Sequence, residues 1–303
     1  MKTPVVVIIF NRPEKTKLLF LSIRKYKPSK LFIISDGPRK NVFDDFEKVK
    51  ETRKIFEKIP WKCKIFTNYS NKNLGTRKRI VSGIDWVFKN VEEAIFLEDD
   101  CIPSNKFFPF MEKMLIRYKS NHKIGSICGS NLLSNWNLNE ESYFYSKYFN
   151  SWGWATWKNR WQKFDKNLKT LDISKKNKVL KYYLGSFRAY LYWHWILDRV
   201  KGYKINSWAY IWIYTGFIKK HLHVIPKINL ISNVGIGMDS THTKSYPVYY
   251  IPSNKINNKF NSSLPAPLNV VANHKFDKDV ENRIYSKSIQ NRIFWILKKI
   301  FKH

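Results

Sequence analysis

The run Pro4-Val5-Val6-Val7-Ile8-Ile9-Phe10 constrains this chain more than any other stretch. It is unbroken, apolar and rich in β-branched side chains, so it has no polar face for solvent and reads as a strand covered on both sides. Asn11-Arg12-Pro13 ends it, and Leu18, Leu19, Ser22 and Ile23 then recur at helical spacing. The alternation repeats. Residues 31–35 form a second buried strand closed by Asp36-Gly37-Pro38, and 43–58 carry a helical stripe of Phe46, Val49, Ile55 and Phe56. Residues 62–67 form a third strand, 76–89 a helix, and 94–97 a fourth strand running straight into Glu98-Asp99-Asp100. Strand–helix alternation of this kind predicts an α/β fold with a parallel sheet in the first 130 residues or so.

The second half reads differently. It is dense in Trp and Tyr, shows few clear strands, and has helical patterns near 157–165, 175–201 and 208–218. Residues 252–275, rich in Pro and Asn, read as an extended segment, and 279–303 as helix. No internal repeat and no Gly/Pro/Ser-rich linker precedes residue 250. With 44 % hydrophobic and 17 % aromatic residues in 303, the chain can bury a full core, which excludes the disordered and low-complexity classes. No run of 18 apolar residues reads as a membrane span, and the first apolar run is too short for a signal peptide. Cys63, Cys101 and Cys128 are widely spaced and match neither a zinc pattern nor a disulfide framework, which suits a reducing cytoplasm.

The formal charge is +32, and 43 of the 55 basic residues are Lys. Such a balance attracts anions: nucleic acid, anionic lipid or phosphorylated substrates. It also matches a plain bias toward Lys, Asn and Ile, so the placement of the basic residues says more than their number. Ligands of open α/β sheets bind beyond the carboxyl ends of the strands. Three loops there carry polar residues: Asn11-Arg12, Asp36-Gly37 and Glu98-Asp99-Asp100. Three adjacent carboxylates repel one another unless a cation or donors compensate. Mg²⁺ and Mn²⁺ take carboxylate and phosphate oxygens together, so the last loop reads either as a metal site for a diphosphate or as a solvated turn before a helix near residue 105.

Six stretches in order carry a resemblance: 8–16 (IIFNRPEKT), 34–39 (ISDGPR), 71–88 (NKNLGTRKRIVSGIDWVF), 94–110 (AIFLEDDCIPSNKFFPF), 151–161 (SWGWATWKNRW) and 229–243 (NLISNVGIGMDSTHT). Over roughly residues 4–245 the chain resembles GT-A glycosyltransferases. More closely it resembles the bacterial nucleotide-diphospho-sugar transferase or hemolytic-protein-like family, and more distantly N-acetylglucosaminyltransferase I. The resemblance implies a GT-A, Rossmann-like, mostly parallel sheet flanked by helices and an aromatic-rich helical second half, and the residues past it read as a C-terminal amphipathic helix. It implies a nucleotide-sugar-binding half over 1–130 and an acceptor-binding half of the same domain over 131–250; the remainder, 251–303, reads as an extended segment and a basic amphipathic, membrane-associating tail.

Residue by residue, the resemblance assigns Asn11, Arg12, Asp36, Asn73, Gly75, Arg79, Glu98 and Asp99 to the nucleotide sugar, with Lys78 next after Arg79. A helix start with a glycine before it offers free N–H groups to phosphate, which agrees. Asp100, the last acid of the DxD-like motif, and His242 are the implied ligands of Mn²⁺ or Mg²⁺. Trp152, Trp154 and Trp208 are read as the wall for acceptor and sugar, against the alternative of an aromatic core. The carboxylate base expected of an inverting enzyme is missing, because Ala209 stands where the resembling families usually carry an acid. Asp198 and Asp239 are the substitutes. An engineered change at position 209, or a family variation with the base elsewhere, would account for Ala209 as well.

In the tail, 283–303 carries Ile289, Ile293, Ile296, Leu297 and Ile300 on one stripe among Lys and Arg, which suits an anionic membrane surface or a packed helix. The expected activity is transfer of a sugar from a UDP-type donor to a glycan or lipid-linked glycan in surface-polysaccharide synthesis. The expected location is cytoplasmic, peripheral on the inner face of the membrane. A nucleic-acid binder is the alternative, but no helix-turn-helix, zinc or RNP signature supports it and nucleic acid is not expected as a partner. A sugar nucleotidyltransferase lacks support because Phe10-Asn11-Arg12-Pro13 replaces that family's Gly-rich loop. Ala209 keeps open a silent relative that binds sugar nucleotide without catalysis.

Overall fold

Val5–Ile9 forms β1, with all five residues buried. Pro13, preset for a first helical turn, opens α1 (Pro13–Tyr26), and Lys27 closes it in the left-handed region at φ 53°. There follow β2 (Lys30–Ser35), α2 (Asp45–Lys54), β3 (Lys64–Tyr69), α3 (Thr76–Val87) and β4 (Glu93–Glu98). These four strands are mutually parallel in the order β3-β2-β1-β4. The computed structural model describes residues 2–136, 141–235 and 263–286.

The alternation of side chains along each strand divides the core in two. Val6, Ile8, Phe32, Ile34 and Phe96 face one side, with α3 and the aromatic second half. Val5, Val7, Ile9, Leu31 and Ile33 face the other, with α1 and α4 (Phe107–Tyr118). Burial on both faces is why these strands read as unbroken apolar runs.

The expectation of a strand-poor second half is corrected. The sheet continues through β6 (Ile124–Cys128), β7 (Tyr143–Ser146), β8 (Trp154–Trp157) and β9 (Leu222–Pro226), giving eight strands ordered β3-β2-β1-β4-β8-β6-β9-β7. β8 runs antiparallel to β4, pairing Phe96 with Trp154 and Glu93 with Trp157. β5 (Cys101–Pro103) and β10 (Ile231–Asn233) make a separate antiparallel pair. Strands of three to five residues containing Gly, His or Pro show no period long enough to recognise, and their partners decide them.

Two helical patterns of the second half are shorter than expected, and the one near 208–218 is found. Only Lys158–Trp161 is helical as α5 within 157–165. The 175–201 pattern is two helices, α6 (Ile173–Tyr183) and α7 (Phe187–Lys201), capped by Asp172 and Ser186, whose side chains accept from Lys175 N–H and Ala189 N–H. α8 spans Ala209–Lys219 and α9 spans His274–Val280, followed by a π-helical stretch, Glu281–Ser286. That stretch is pinned by buried carboxylates: Asp277 accepts from Ser146 Oγ at 2.5 Å and Glu281 from Tyr148 Oη at 2.7 Å. The stripe of the tail beyond Ser286 lies outside the described residues. All three cysteines are free thiols. No described helix is long and apolar enough to cross a membrane.

Candidate functional site

From β1 the chain winds to β2 and β3 on one side, then returns to place β4 on the other side of β1. That reversal leaves a crevice beyond the carboxyl ends of β1 and β4, the place where open α/β sheets take ligands. Arg12 follows β1 and Asp99-Asp100 follows β4, and they meet there. Arg12 Nη1 donates to Asp99 Oδ1 at 3.2 Å and to Asp100 Oδ2 at 2.9 Å. Phe10 N–H donates to Asp99 Oδ2 at 3.2 Å, so one main chain and one guanidinium orient the buried Asp99.

Positive charge is in short supply here. Burial and then the charges of Asp100 and Asp99 push the Glu98 carboxyl up to about 8, with Arg12 opposing. Burial and Asp100 push Asp99 up to about 6, again against Arg12. Glu98 and Asp99 therefore ionise at a cost, and a further cation relieves it.

The antiparallel pair β5–β10 brings a distant segment onto this crevice. Val234 N–H donates to the Asp100 carbonyl at 2.9 Å, and Asn233 Nδ2 lies 3.5 Å from Asp100 Oδ1. Gly235 N–H is held by Asn233 Oδ1 at 2.8 Å. A Cβ at position 235 would stand 1.9 Å from Asp100 Oδ2 and 2.6 Å from its Cγ. Gly235 is thus the backbone wall against which the Asp100 carboxylate rests. Neither Asn233 nor Gly235 stands out from spacing alone. Their signal is the Asn-Val-Gly within the 229–243 stretch.

The second half of the site lies beyond β2 and β3. Asp36 Oδ1 accepts from Gly37 N–H and Leu74 N–H, both at 2.9 Å, and Oδ2 accepts from Gly75 N–H at 3.0 Å. Asn73 Nδ2 donates to the Gly37 carbonyl at 2.8 Å. Gly75, at φ 77°, is the N-cap of α3, a conformation that favours glycine. Asp36, Asn73 and Gly75 are therefore one assembly that fixes the loop before α3. Asn11 Nδ2 donates to Asp45 Oδ1 at 2.6 Å, and Arg39 Nε donates to Asp45 Oδ2 at 2.6 Å. These contacts, led by Arg39, hold the Asp45 carboxyl down at about 2. They tie the loop after β1 to the loop after β2.

Other expectations are corrected. Arg79 does not face the crevice as a phosphate contact. It is buried, donating to the Ser35 carbonyl at 3.1 Å and to the carbonyl and side chain of Asn68 at 2.5 and 2.6 Å, so it buckles β2 to β3. Trp154 and Trp208 are core residues, not an acceptor wall. They are 1 % and 3 % exposed, 5.2 Å apart, and Trp154 stacks on Phe96 at 4.6 Å. A ring covered on its faces by other rings has no face for a sugar. Trp152 keeps part of its surface.

Asp198 is corrected too. It sits on the outer side of α7, accepting from the buried Lys176 Nζ at 2.6 Å with His194 Nδ1 at 3.3 Å, a structural ion pair. Asp239 and His242 lie outside the described residues. Ala209 opens α8, and α8 carries no acidic residue. The preceding Asn206 stands at the rim, where a Cβ on Gly75 would come within 2.9 Å of its Nδ2.

For the divalent cation that the family resemblance implies, the geometry sets the terms. Among the described residues no three His, Cys, Asp or Glu side chains converge on a common point. The described residues alone make no protein-only metal centre. A cation shared between Asp100 and a diphosphate does fit, because Mg²⁺ usually takes one or two carboxylates with phosphate oxygens and water, and because the carboxyls here lack positive charge.

No protein-family model matches the chain, and no curated protein matches it. Solved structures offer distant likenesses. A UDP-glucose pyrophosphorylase complexed with UDP-glucose aligns over 55 % of this chain and 80 % of its own, at 11 % identity and a TM-score of 0.33. The 4-diphosphocytidyl-2C-methyl-D-erythritolsynthase from Anaerococcus prevotii DSM 20548 aligns over 60 % and 84 %, at 10 % identity and the same TM-score. At that score neither says what this chain binds.

Proposed function

We propose that the chain is a metal-dependent glycosyltransferase, moving a sugar from a nucleotide diphosphate donor, a UDP-sugar by preference, to a glycan or lipid-linked glycan. The observation that carries this reading is the meeting of Arg12, Asp99 and Asp100 in the β1–β4 crevice, with a clamped glycine loop and helix start beside it. A diphosphate suits that crevice because the first turn of α3, behind Gly75, has N–H groups without intrahelical partners and the acid cluster calls for a cation. Asp100 would hold that cation, Mn²⁺ or Mg²⁺, which would supply charge neutralisation for a leaving nucleotide diphosphate. Arg12 keeps the two carboxylates apart before donor arrives and turns to phosphate when it does. Asp36 keeps the α3 loop in its receiving shape and Trp152 offers its open edge to the sugar side.

Inversion at the sugar is the stereochemistry this reading favours, with the base supplied from outside α8 or, for a silent relative, not at all. The deciding measurement is thermal stabilisation by UDP, GDP, CMP and dTDP, each with and without Mn²⁺. A ligand that binds only the native state raises the melting temperature, by about 2.7 kcal/mol of stabilisation at a hundred times its Kd. A metal-dependent shift for one nucleotide, lost in Asp100→Ala, is the expected result. No shift with any nucleotide sinks the proposal. A shift without turnover on any acceptor identifies the silent relative.

A further inference from the structure

We propose that the outer face of the α6–α7 hairpin is a docking surface for an anionic membrane. The two helices run antiparallel about the turn at Leu184-Gly185-Ser186, locked by Tyr190 Oη donating to Asn177 Oδ1 at 3.0 Å and by the Lys176–Asp198 pair at 2.6 Å. Their inward faces carry Leu180, Ala189, Trp193, Ile196 and Val200 into the core. Their outward faces are not the polar surface that a helix on a globular domain normally shows. Tyr182 and Phe187 are each 72 % exposed on either side of the turn. Leu191, His194 and Trp195 follow Phe187 along the same face of α7 at spacings of four, seven and eight, each partly exposed.

The charges on this face are mostly positive. Lys175, Lys178 and Lys181 line the outside of α6, and Arg188 stands beside Phe187, all exposed. Lys220, from the end of α8, lies over the Tyr182 ring at 5.4 Å. Asp198, on the same side, is neutralised by Lys176, and Asp172 is taken up as the cap of α6. Aromatic rings flanked by Lys and Arg are the combination that settles at a headgroup layer. The rings enter the acyl boundary, the long basic side chains reach back to phosphate, and the negative surface potential adds attraction for each charge.

Charge separates this face from another exposed apolar patch. Leu18, Leu21 and Phe46 on α1 and α2 are also exposed. There Glu14 pairs with Lys17, Asp44 with Lys48 and Glu47 with Lys50, so acids lie among the bases on that side. α7 also links the face to the crevice: its far end gives the Val200 carbonyl to Arg77 Nη1 at 3.0 Å, two residues after Gly75. A membrane under the hairpin would meet the same helix that borders the nucleotide loop. The docking surface stands independently of what that loop binds.

The test is flotation of the full chain with phosphatidylcholine vesicles, with and without phosphatidylglycerol, at several salt concentrations. Lys178→Gln, Lys181→Gln and Arg188→Gln together are compared with Lys48→Gln, Lys50→Gln and Lys54→Gln, which remove the same charge from the α2 side. The expected result is binding only to the anionic vesicles, weakened about a hundredfold in the hairpin variant, at about fivefold per basic residue. The α2 variant stays near the parent. Tyr182→Ser with Phe187→Ser weakens binding while leaving its salt dependence intact. Melting temperatures of all variants check folding, and their nucleotide-induced shifts report the crevice separately. Equal loss in both charge variants, no loss in either, or binding to neutral vesicles overturns the proposal. So does an absence of vesicle binding with an oligonucleotide complex that the hairpin variant abolishes, which would make the face a nucleic-acid surface.

Discussion

Gly235→Ala tests the crevice through a single methyl group. Its Cβ would stand 1.9 Å from Asp100 Oδ2, 2.6 Å from Cγ and 2.8 Å from Cβ, where ordinary contact begins at 3.4 Å. The carboxylate must therefore move by about 1.5 Å, because the whole short side chain is in the way and not only its tip. That displacement breaks the 2.9 Å contact with Arg12, a charge-assisted hydrogen bond worth about 1.5–3 kcal/mol. Part of this returns as solvation, since the crevice is partly open, so the variant stays folded with a melting temperature a few degrees lower. The functional loss is larger. A misplacement of about 1 Å at a reacting site costs about a hundredfold, and Asp100 is the carboxylate proposed to share the cation with phosphate. The assay is titration of UDP and Mn²⁺ followed by thermal shift, then single-turnover sugar transfer. Gly185→Ala, whose Cβ meets only Glu281 oxygens at 3.3 Å or beyond, is the control. A Gly235→Ala protein with full metal-dependent nucleotide stabilisation would show that Asp100 does not rest on this wall, and the reasoning would fail.

Protonation of two buried histidines at the start of β9 should cost stability in acid. Burial and then the neighbouring cations hold His221 down at about 4, and burial and His221 hold His223 down at about 3. Both folded pKa values lie below the unfolded one near 6.5, so the unfolded chain binds more protons between them, and stability is lost as pH falls below about 6.5. By pH 4 each histidine removes about 3 kcal/mol. Asp277 acts oppositely: raised to about 6, it gives stability below its unfolded value near 4 that is lost as pH rises through 6, about 3 kcal/mol in all. Glu98 and Asp99, raised to about 8 and about 6, act in the same sense as Asp277 and offset the histidines for the chain as a whole. The test is therefore a difference: in urea melts at pH 7, 5 and 4, His223→Gln should lose about 3 kcal/mol less than the parent on going to pH 4. Trp154→Ala should cost about 3–5 kcal/mol in denaturant unfolding, as a core deletion does, and leave nucleotide affinity intact in the folded fraction. Asp198→Asn should keep sugar transfer within about twofold by steady-state assay. It should cost about 1 kcal/mol of stability, modest because Asp198 is half in solvent although Lys176 is buried.

The loops were legible in the sequence because each ends a buried strand, and an abrupt change from β-branched to polar residues is a local signal. Asn11-Arg12, Asp36-Gly37, Asn73–Gly75 and Glu98–Asp100 all lie at strand ends or at the start of α3. Which of their side chains serve the crevice was not legible. Arg12 and Arg79 read alike, yet Arg79 spends its donors on carbonyls of β2 and β3 while Arg12 meets two carboxylates. That choice depends on which strands lie side by side. The tryptophans behave likewise: Trp152 and Trp154 flank one glycine, and the alternation of β8 sends Trp154 into the core against Phe96.

By itself, then, the sequence determined the parallel half of the sheet and the identity of its loops, since strands covered on both faces and helices with one apolar stripe impose their own periods. Tertiary structure decided the rest. The return of β4 beside β1 opened the crevice, the β5–β10 pair set Gly235 against Asp100, and short strands from the second half extended the sheet to eight. These features join residues far apart in the chain, and no local pattern of residue types encodes which distant neighbour satisfies a buried charge, a ring face or a strand edge.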